Sequence, residues 1–539
     1  MQVKKIILIF CVQLITVAVF CQRKEFVITA YGAKPDGVTN NVVAIQNAIN
    51  DAWKAGGGKV VVPRGRFLSG VIYLKSNVEL NIHAEAVLLA SFNRADYGAS
   101  LKASAFIVAE NEKNISITGS GLIDGQCDLL INDIYKKLRS GELYDDEWKE
   151  YNPWHQRRPS EKNRPRMIEL KNCDSVTIKN IYLQNSAAWV QNYKACSNVV
   201  IDSIHVFSNT FWNNDGIDLV DCKNARVTNC NINVADDGIC LKSEDRNGMC
   251  ENIYVANCKV RSSASAVKLG TASKGGFKKI VIKNIEVYDT YRSAIAIETV
   301  DGGLLEDIDV SNIHAVNTGN AIFIRLGHRN KDSVYGVLRN VSISNVKVEV
   351  PKEKPDKGYP MEGPALRYAP QHKTDTTVSA SPYDPGIDSS TALFPHNVFP
   401  SSITGLPGHE VENVRLENIE VIYEGGAEKN INYFPLNSLH AITEAANSYP
   451  EFSMFGELPV WGLYVRHVKG LALKNVSLKF KNNDFRAACV FDDVNNLKLE
   501  KVAIPSYQNL PVIVLNNVKQ YSFDQLKLPV EEKKAVKIQ

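Results

Sequence analysis

No two cysteines stand three residues apart in this chain, and no basic run is interleaved with aromatics. The first absence argues against a zinc site of the CxxC kind. The second, with a net charge of only +3 on 539 residues, argues against a nucleic-acid partner. Two of those charges, Lys4 and Lys5, belong to a leader-like start. Stretches of 3.6-residue period are also scarce. Residues 42–55 form the one clear helical run, which excludes a solenoid of helix pairs. The only long apolar run, residues 6–20, is fifteen residues with a Gln inside, too short for a comfortable membrane span.

That run has a charged start and ends near Cys21, so residues 1–21 read as a secretory signal and 22–539 as one mature domain. Export, to the periplasm or beyond the cell, is the expectation. Lipid anchoring at Cys21 is the weaker alternative, because Phe20 is bulky where a small residue is wanted. Of eleven cysteines, nine lie past the leader. Their odd number argues against a disulfide scaffold, and they recur at repeated places as small buried hydrophobes do. Cys230 and Cys258, 28 apart, would approach disulfide distance if stacked.

One phrase recurs, an alternation of apolar residues ending in Asn and another apolar residue. It reads VTIKNI at 176–181, VVIDSI at 199–204 and IVIKNI at 280–285. The Asn-equivalent positions are 180, 203, 229, 257, 284, 312, 345, 418 and 475. Gaps of 23 to 33 residues, then 73 and 57, fit a coil repeat with skipped coils or inserted loops. Period-two alternation identifies strands, and several short strands per repeat identify a solenoid. The fold class is therefore all-β: a single-domain, right-handed parallel β-helix. Helical residues 42–55 cap its N-terminal end and hide the open sheet edge. Long loop insertions occupy 351–410 and 424–459, and such loops wall a cleft. The recurrent Asn residues are structural, since Asn tolerates the left-handed conformation and bonds to backbone.

Two segments carry acids in register with that repeat: NNDGIDLV, with Asp215, and ADDGICLKS, with Asp236 and Asp237. Adjacent coils stack at about 4.8 Å, so the three carboxyls must share one patch. Crowded like charges raise the pKa of at least one. One carboxyl can then act as acid while another stays a base. Inverting hydrolysis of a glycosidic bond requires carboxyls about 6.5–9.5 Å apart, and a diagonal between rungs lies near the lower end of that range.

NNDGID and ADDGICLKS, at their mutual spacing, resemble the Asn-Thr-Asp and Asp-Asp motifs of glycoside hydrolase family 28, the polygalacturonase and rhamnogalacturonan hydrolase family. The segments GRFLSGVIYLKSNVELNIHAEAVLLAS, ISITGSGLIDGQ and RPRMIELKNCDSVTIKNIYLQNSAAW are similar to it as well, so the resemblance runs from Phe26 to about Asn345. It implies a metal-independent, inverting enzyme without cofactors. Asp236 would protonate the leaving oxygen, and Asp215 and Asp237 would hold the attacking water. Two family motifs depart. Ser265 stands at the expected His, and Ala296 and Glu298 stand at the cations that clamp a uronate. A Glu there repels a carboxylate, so Lys242, Lys268 and Arg325 are the candidate replacement cations. His328 is a weaker candidate. Trp189 and Trp212 are candidate sugar platforms.

The expected partner is a pectin-type polysaccharide or oligosaccharide. Loops that close the cleft favour attack on chain ends. Two alternatives use the same scaffold. A lyase would hold Ca²⁺ on the three acids and use Lys268 as base, and a non-catalytic solenoid would only bind glycans.

Overall fold

The computed structural model describes residues 24–150, 152, 157–363, 397–427, 429, 434–504 and 511–539. The expected leader lies outside the described residues. The chain winds as a parallel β-helix, each coil pairing in parallel register with the next. Alternation dictates this winding. Leu170, Tyr193, Leu219, Leu241, Leu269, Ile297 and Ile324 meet in register on successive coils and point inward as one file. Val176, Val199, Ala225, Ile253 and Ile280 form a second inward file. Each fully buried aliphatic side chain contributes about 1.5–3 kcal/mol, so the rod is held by many equal increments along its length.

The Asn positions turn the coil. Asn180, Asn229, Asn257, Asn284, Asn312, Asn345, Asn418 and Asn475, with Ser203, all have positive φ near 52–58°. A left-handed residue costs roughly 1–2 kcal/mol for most side chains. Asn offsets that cost with a ladder: Asn284 donates to Asn257 at 2.9 Å, Asn312 to Asn284 at 2.9 Å and Asn345 to Asn312 at 3.0 Å. The same ladder resolves the two long gaps. Asn418 donates to Asn345 at 2.9 Å and Asn475 to Asn418 at 2.8 Å, so the intervening residues are loops inserted between adjacent coils.

The N-terminal helix Val42–Lys54 buries Ala44, Ile45, Ala48, Ile49 and Ala52. It packs against strands Glu25–Val27 and Gly58–Val62, the first pair of the stack. A second helix, Cys127–Ser140, opens an insertion that the alternation did not announce.

One outward-facing row of the sheet positions the site. It runs in register through Glu169, Asn192, Asp218, Cys240 and Lys268, then through Ala296, Phe323, Ser402, Tyr464 and Val490. The row is mostly polar up to Lys268 and largely apolar from Ala296. The insertion after residue 424 lies on that second part. Leu439, Ile442, Phe455 and Leu458 cover Tyr464, Val490 and Val514. Phe452 and Phe399 cover Ala296 and Phe323. The polar part of the row therefore ends at Lys268, where inserted chain begins to cover the sheet.

All nine described cysteines are free and buried. Cys196, Cys222 and Cys250 donate to backbone carbonyls of neighbouring coils at 3.2–3.3 Å. Cys230 and Cys258 do sit on adjacent coils, but as thiols; no disulfide joins them.

Candidate active site

Gly216 and Gly238 explain why each acid precedes a glycine. A Cβ on Gly216 would lie 2.5 Å from the Gly238 carbonyl oxygen, and one on Gly238 would lie 2.4 Å from Val260. The coils touch there, and Gly216 N–H donates to the Asp237 carbonyl at 2.9 Å. Asn214, fully buried, pins the same turn by donating to the Ser186 and Ala188 carbonyls at 2.8 and 3.0 Å. Asp215 and Asp237 are left 4 and 3% exposed, while Asp236 is more open. One oxygen from each of the three carboxyls lies within 4.8 Å of the others. This is closer than the spacing expected from a diagonal between rungs, because Asp236 and Asp237 are consecutive in one turn.

The neighbours of the three acids differ, and that separates them chemically. Asp215 accepts Lys242 Nζ at 2.9 Å, and Lys242 also bonds Asp218. Asp237 accepts Lys268 Nζ at 3.1 Å and the Ser265 backbone N–H at 3.1 Å. Among the described residues the Asp236 carboxyl meets the Asn213 side-chain amide at 3.4 Å and the Asp237 backbone N–H at 2.9 Å, and no cation. Burial, aided by the repulsion of Asp215 and Asp237, pushes Asp236 up to about 7. Burial pushes Asp215 up to about 8 against the pull of Lys242. Burial works to raise Asp237 too, but Lys268, Lys242 and Arg292 hold it below the usual carboxylate value. Protons on such a cluster belong to the group rather than to one residue. The ammonium on Asp215 favours its ionised form, which leaves Asp236 as the member best suited to keep a proton.

A pH dependence follows. The acid form of Asp236 is lost as pH rises through about 7, while Asp237 stays ionised to below its ordinary value of 3.8. Turnover is expected to fall on the alkaline side with an apparent pKa near 7 and to persist into mildly acid solution. A kcat/KM profile rising from pH 6 to pH 9 would contradict this ordering.

Of the residues expected from the sequence, Lys242, Lys268, Ser265 and Glu298 do converge on the acids. Burial pushes Glu298 up to about 7, with Lys268 opposing and Asp237 assisting. Its buried carboxyl lies beside Thr271. Two expectations are corrected. Arg325 is 1% exposed, and its guanidinium donates to the carbonyls of Gly405, Glu444 and Ala445. It ties two insertions to the rod and is spent as a cation. Trp212 is 4% exposed and packs edge-on to Phe211 at 4.9 Å, so it offers no open face to a sugar. Trp189 is half-buried, with Lys242 and Arg166 over its ring at 4.3 and 4.4 Å. His328 stacks on Tyr335 with ring centroids 4.0 Å apart.

Sequence reading missed Asp218, Arg292, Tyr449 and Glu451. Tyr449 reaches in from the second insertion to bond Lys268 Nζ at 3.0 Å, and Arg292 approaches Glu451 at 3.7 Å. Asp218 carried a signal, since it is the outward residue of its strand beside Asp215. The others sit on loops or next to a lost motif, where alternation says nothing.

A parallel β-helix with a buried acid cluster where two coils touch is thus the class that fold and site define. The chain belongs to glycosyl hydrolases family 28, whose model matches residues 55–353. It is 26% identical over 330 residues to a probable polygalacturonase of Vitis vinifera, covering 58% of each chain. It is 30% identical over 253 residues to an exo-poly-alpha-D-galacturonosidase of Dickeya chrysanthemi, covering 39% of this chain and 41% of the other. It therefore spans about half the length of these relatives. Among solved structures it is similar in fold to a hyperthermoactive exopolygalacturonase from Thermotoga maritima. That match has a TM-score of 0.58 at 21% identity, over 85% of this chain and 92% of the other.

Proposed function

We propose that this protein is an exported hydrolase of glycosidic bonds in pectin-type polysaccharides. The single observation that carries this is the asymmetry of the acid trio, in which Asp236 alone has no directly bonded cation among the described residues. Asp236 donates its proton to the leaving oxygen. Asp215 and Asp237, each on a lysine, hold and deprotonate water. Those lysines also blunt either carboxylate as a nucleophile, which favours direct attack by water and inversion over a covalent intermediate, although the acids approach more closely than the usual inverting separation. The names of the relatives support the pectic substrate. The wall of inserted chain beyond Lys268 supports attack at chain ends, and the leader-like residues 1–21 support export.

The lyase alternative fits the residues less well. Asp215 and Asp237 are already neutralised by buried ammonium groups, which leaves little charge for a divalent cation. Lys268 is held protonated by Asp237 against the effect of burial, so it is a poor base. The test is incubation with a series of oligogalacturonides in the presence of a chelator. Saturated products shortened one or two units at a time are expected, with the newly formed anomer inverted. Unsaturated products, or activity lost to the chelator, would remove the hydrolase reading.

A further inference from the structure

Lys242 and Lys268 each hold one acid of the trio, but they are held differently themselves. Lys242 lies between two carboxylates of the rod, Asp215 and Asp218. Lys268, 1% exposed, bonds one carboxylate, Asp237, at 3.1 Å, and meets the phenol of Tyr449 at 3.0 Å. A rival carboxyl lies close by. Lys268 pairs with Ala296 on the next coil, and Glu298, two residues further along that strand, faces the same side of the sheet. Glu298 is 2% exposed, and Lys268 opposes the effect of burial on it.

Tyr449 does not belong to the rod. It arrives on the insertion after residue 424, which is anchored on both sides of it. Before it, Arg325 donates to the Glu444 and Ala445 carbonyls, and the Ala446 carbonyl accepts the His328 N–H at 2.7 Å. After it, Glu451 lies 3.7 Å from Arg292. Phe452 packs edge-on against Tyr291 and Phe399, with ring centroids 6.0 and 5.4 Å apart. The seat of Phe452 includes Ala296, the register partner of Lys268. Contacts on either side therefore set the phenol on the ammonium. An ammonium has no lone pair, so the phenol oxygen is the acceptor.

We infer that Tyr449 is a positioning residue: its oxygen keeps the Lys268 ammonium on Asp237 and away from Glu298, so that docking of the insertion completes the water-holding side of the site. The role rests on the proposed hydrolase function, yet it can fail separately. Hydrogen bonds to a charged group are the stronger kind. A buried ammonium that loses an acceptor turns to the nearest other one, which here is the Glu298 carboxylate. Lys242 and Arg292 also face Asp237, as do the acids Asp215 and Asp236. Drawing Lys268 away thus weakens the cationic surroundings of Asp237 without abolishing them, and Asp237 takes up its proton at higher pH.

The experiment measures kcat, KM and the pH profile on an oligogalacturonide for the parent, Tyr449→Phe, Glu298→Gln and the double variant, each with a thermal melt to check folding. Tyr449→Phe keeps the ring and removes the acceptor. It should lower kcat about tenfold with KM within about twofold, and move the acid limb of the kcat/KM profile up by about one pH unit. Adding Glu298→Gln removes the rival carboxylate, so the double variant should regain most of kcat and return the acid limb toward the parent's position. A tyrosine that only packs would leave the acid limb in place. A folded Tyr449→Phe with the parent's profile overturns the inference alone, as does a double variant no better than Tyr449→Phe. A parent inert on oligogalacturonides removes the hydrolase reading and the inference with it.

Discussion

Asp236→Asn is expected to abolish turnover, by a factor of about a thousand or more, while the protein still folds and binds its oligosaccharide. General acid catalysis alone is commonly worth about 10²–10⁴-fold. Here the leaving group is a sugar alkoxide, and the neighbouring acids Asp215 and Asp237 are each bound to a lysine ammonium. The amide keeps the size of the side chain and, through its single oxygen, the bond from the Asp237 N–H, and gives up only the 3.4 Å contact from the Asn213 amide. It also removes a carboxyl that burial and two neighbouring acids make costly to ionise. The thermal midpoint at pH 8 should therefore be no lower than that of the parent. The measurement pairs reducing-end assays with calorimetric titration of an oligogalacturonide. Hydrolysis within about tenfold of the parent would reassign the proton donor and dismantle the proposed chemistry.

Lys242→Met carries the second large effect, on stability. Its ammonium lies between Asp215 and Asp218, both buried. Removing one partner of a buried pair leaves an uncompensated charge, at about 3–5 kcal/mol. The loss depends on pH, and the direction follows from the groups themselves. Burial sets Asp218 at about 6 and Asp215 at about 8 even with the lysine present. Without it both rise further and stay protonated in acid solution, where no charge is stranded. Lys242 itself is held charged to well above its usual value, so on the alkaline side its contribution is lost only in strong alkali, while on the acid side it fades as the two carboxyls take up protons. The melting midpoint of Lys242→Met should fall by several degrees at pH 8 and by much less at pH 4.5. Equal midpoints for variant and parent at both values would mean that the pair is structurally idle.

The rod itself was legible because its signals are local and repeated. Nine predicted turn positions all adopt the left-handed conformation, and apolar residues two apart point inward where alternation says they should. The acids were legible for a related reason: an Asp beside a Gly, twice in register, marks coils in contact. What escaped depends on contacts between distant segments. Nothing near Arg325 in sequence says that carbonyls of residues 405, 444 and 445 will claim it. Trp212 is buried beneath a turn whose latch, Arg164, lies 48 residues earlier. Tyr449 enters the site from a coil four turns of the ladder away, carried by an insertion with no repeat of its own. Loops are placed by where their apolar residues find a seat, and that seat, Ala296 with Phe323, looked in the sequence like a missing cation.

The buried thiols bear on how the rod is made. The thiols of Cys196, Cys222 and Cys250 bond the coil before their own, so they are shielded only once neighbouring coils have stacked. Short pulses of an alkylating reagent during refolding should then label cysteines in the order in which coils close. Any covalently cross-linked species in a preparation marks chains that met oxidant before winding was complete.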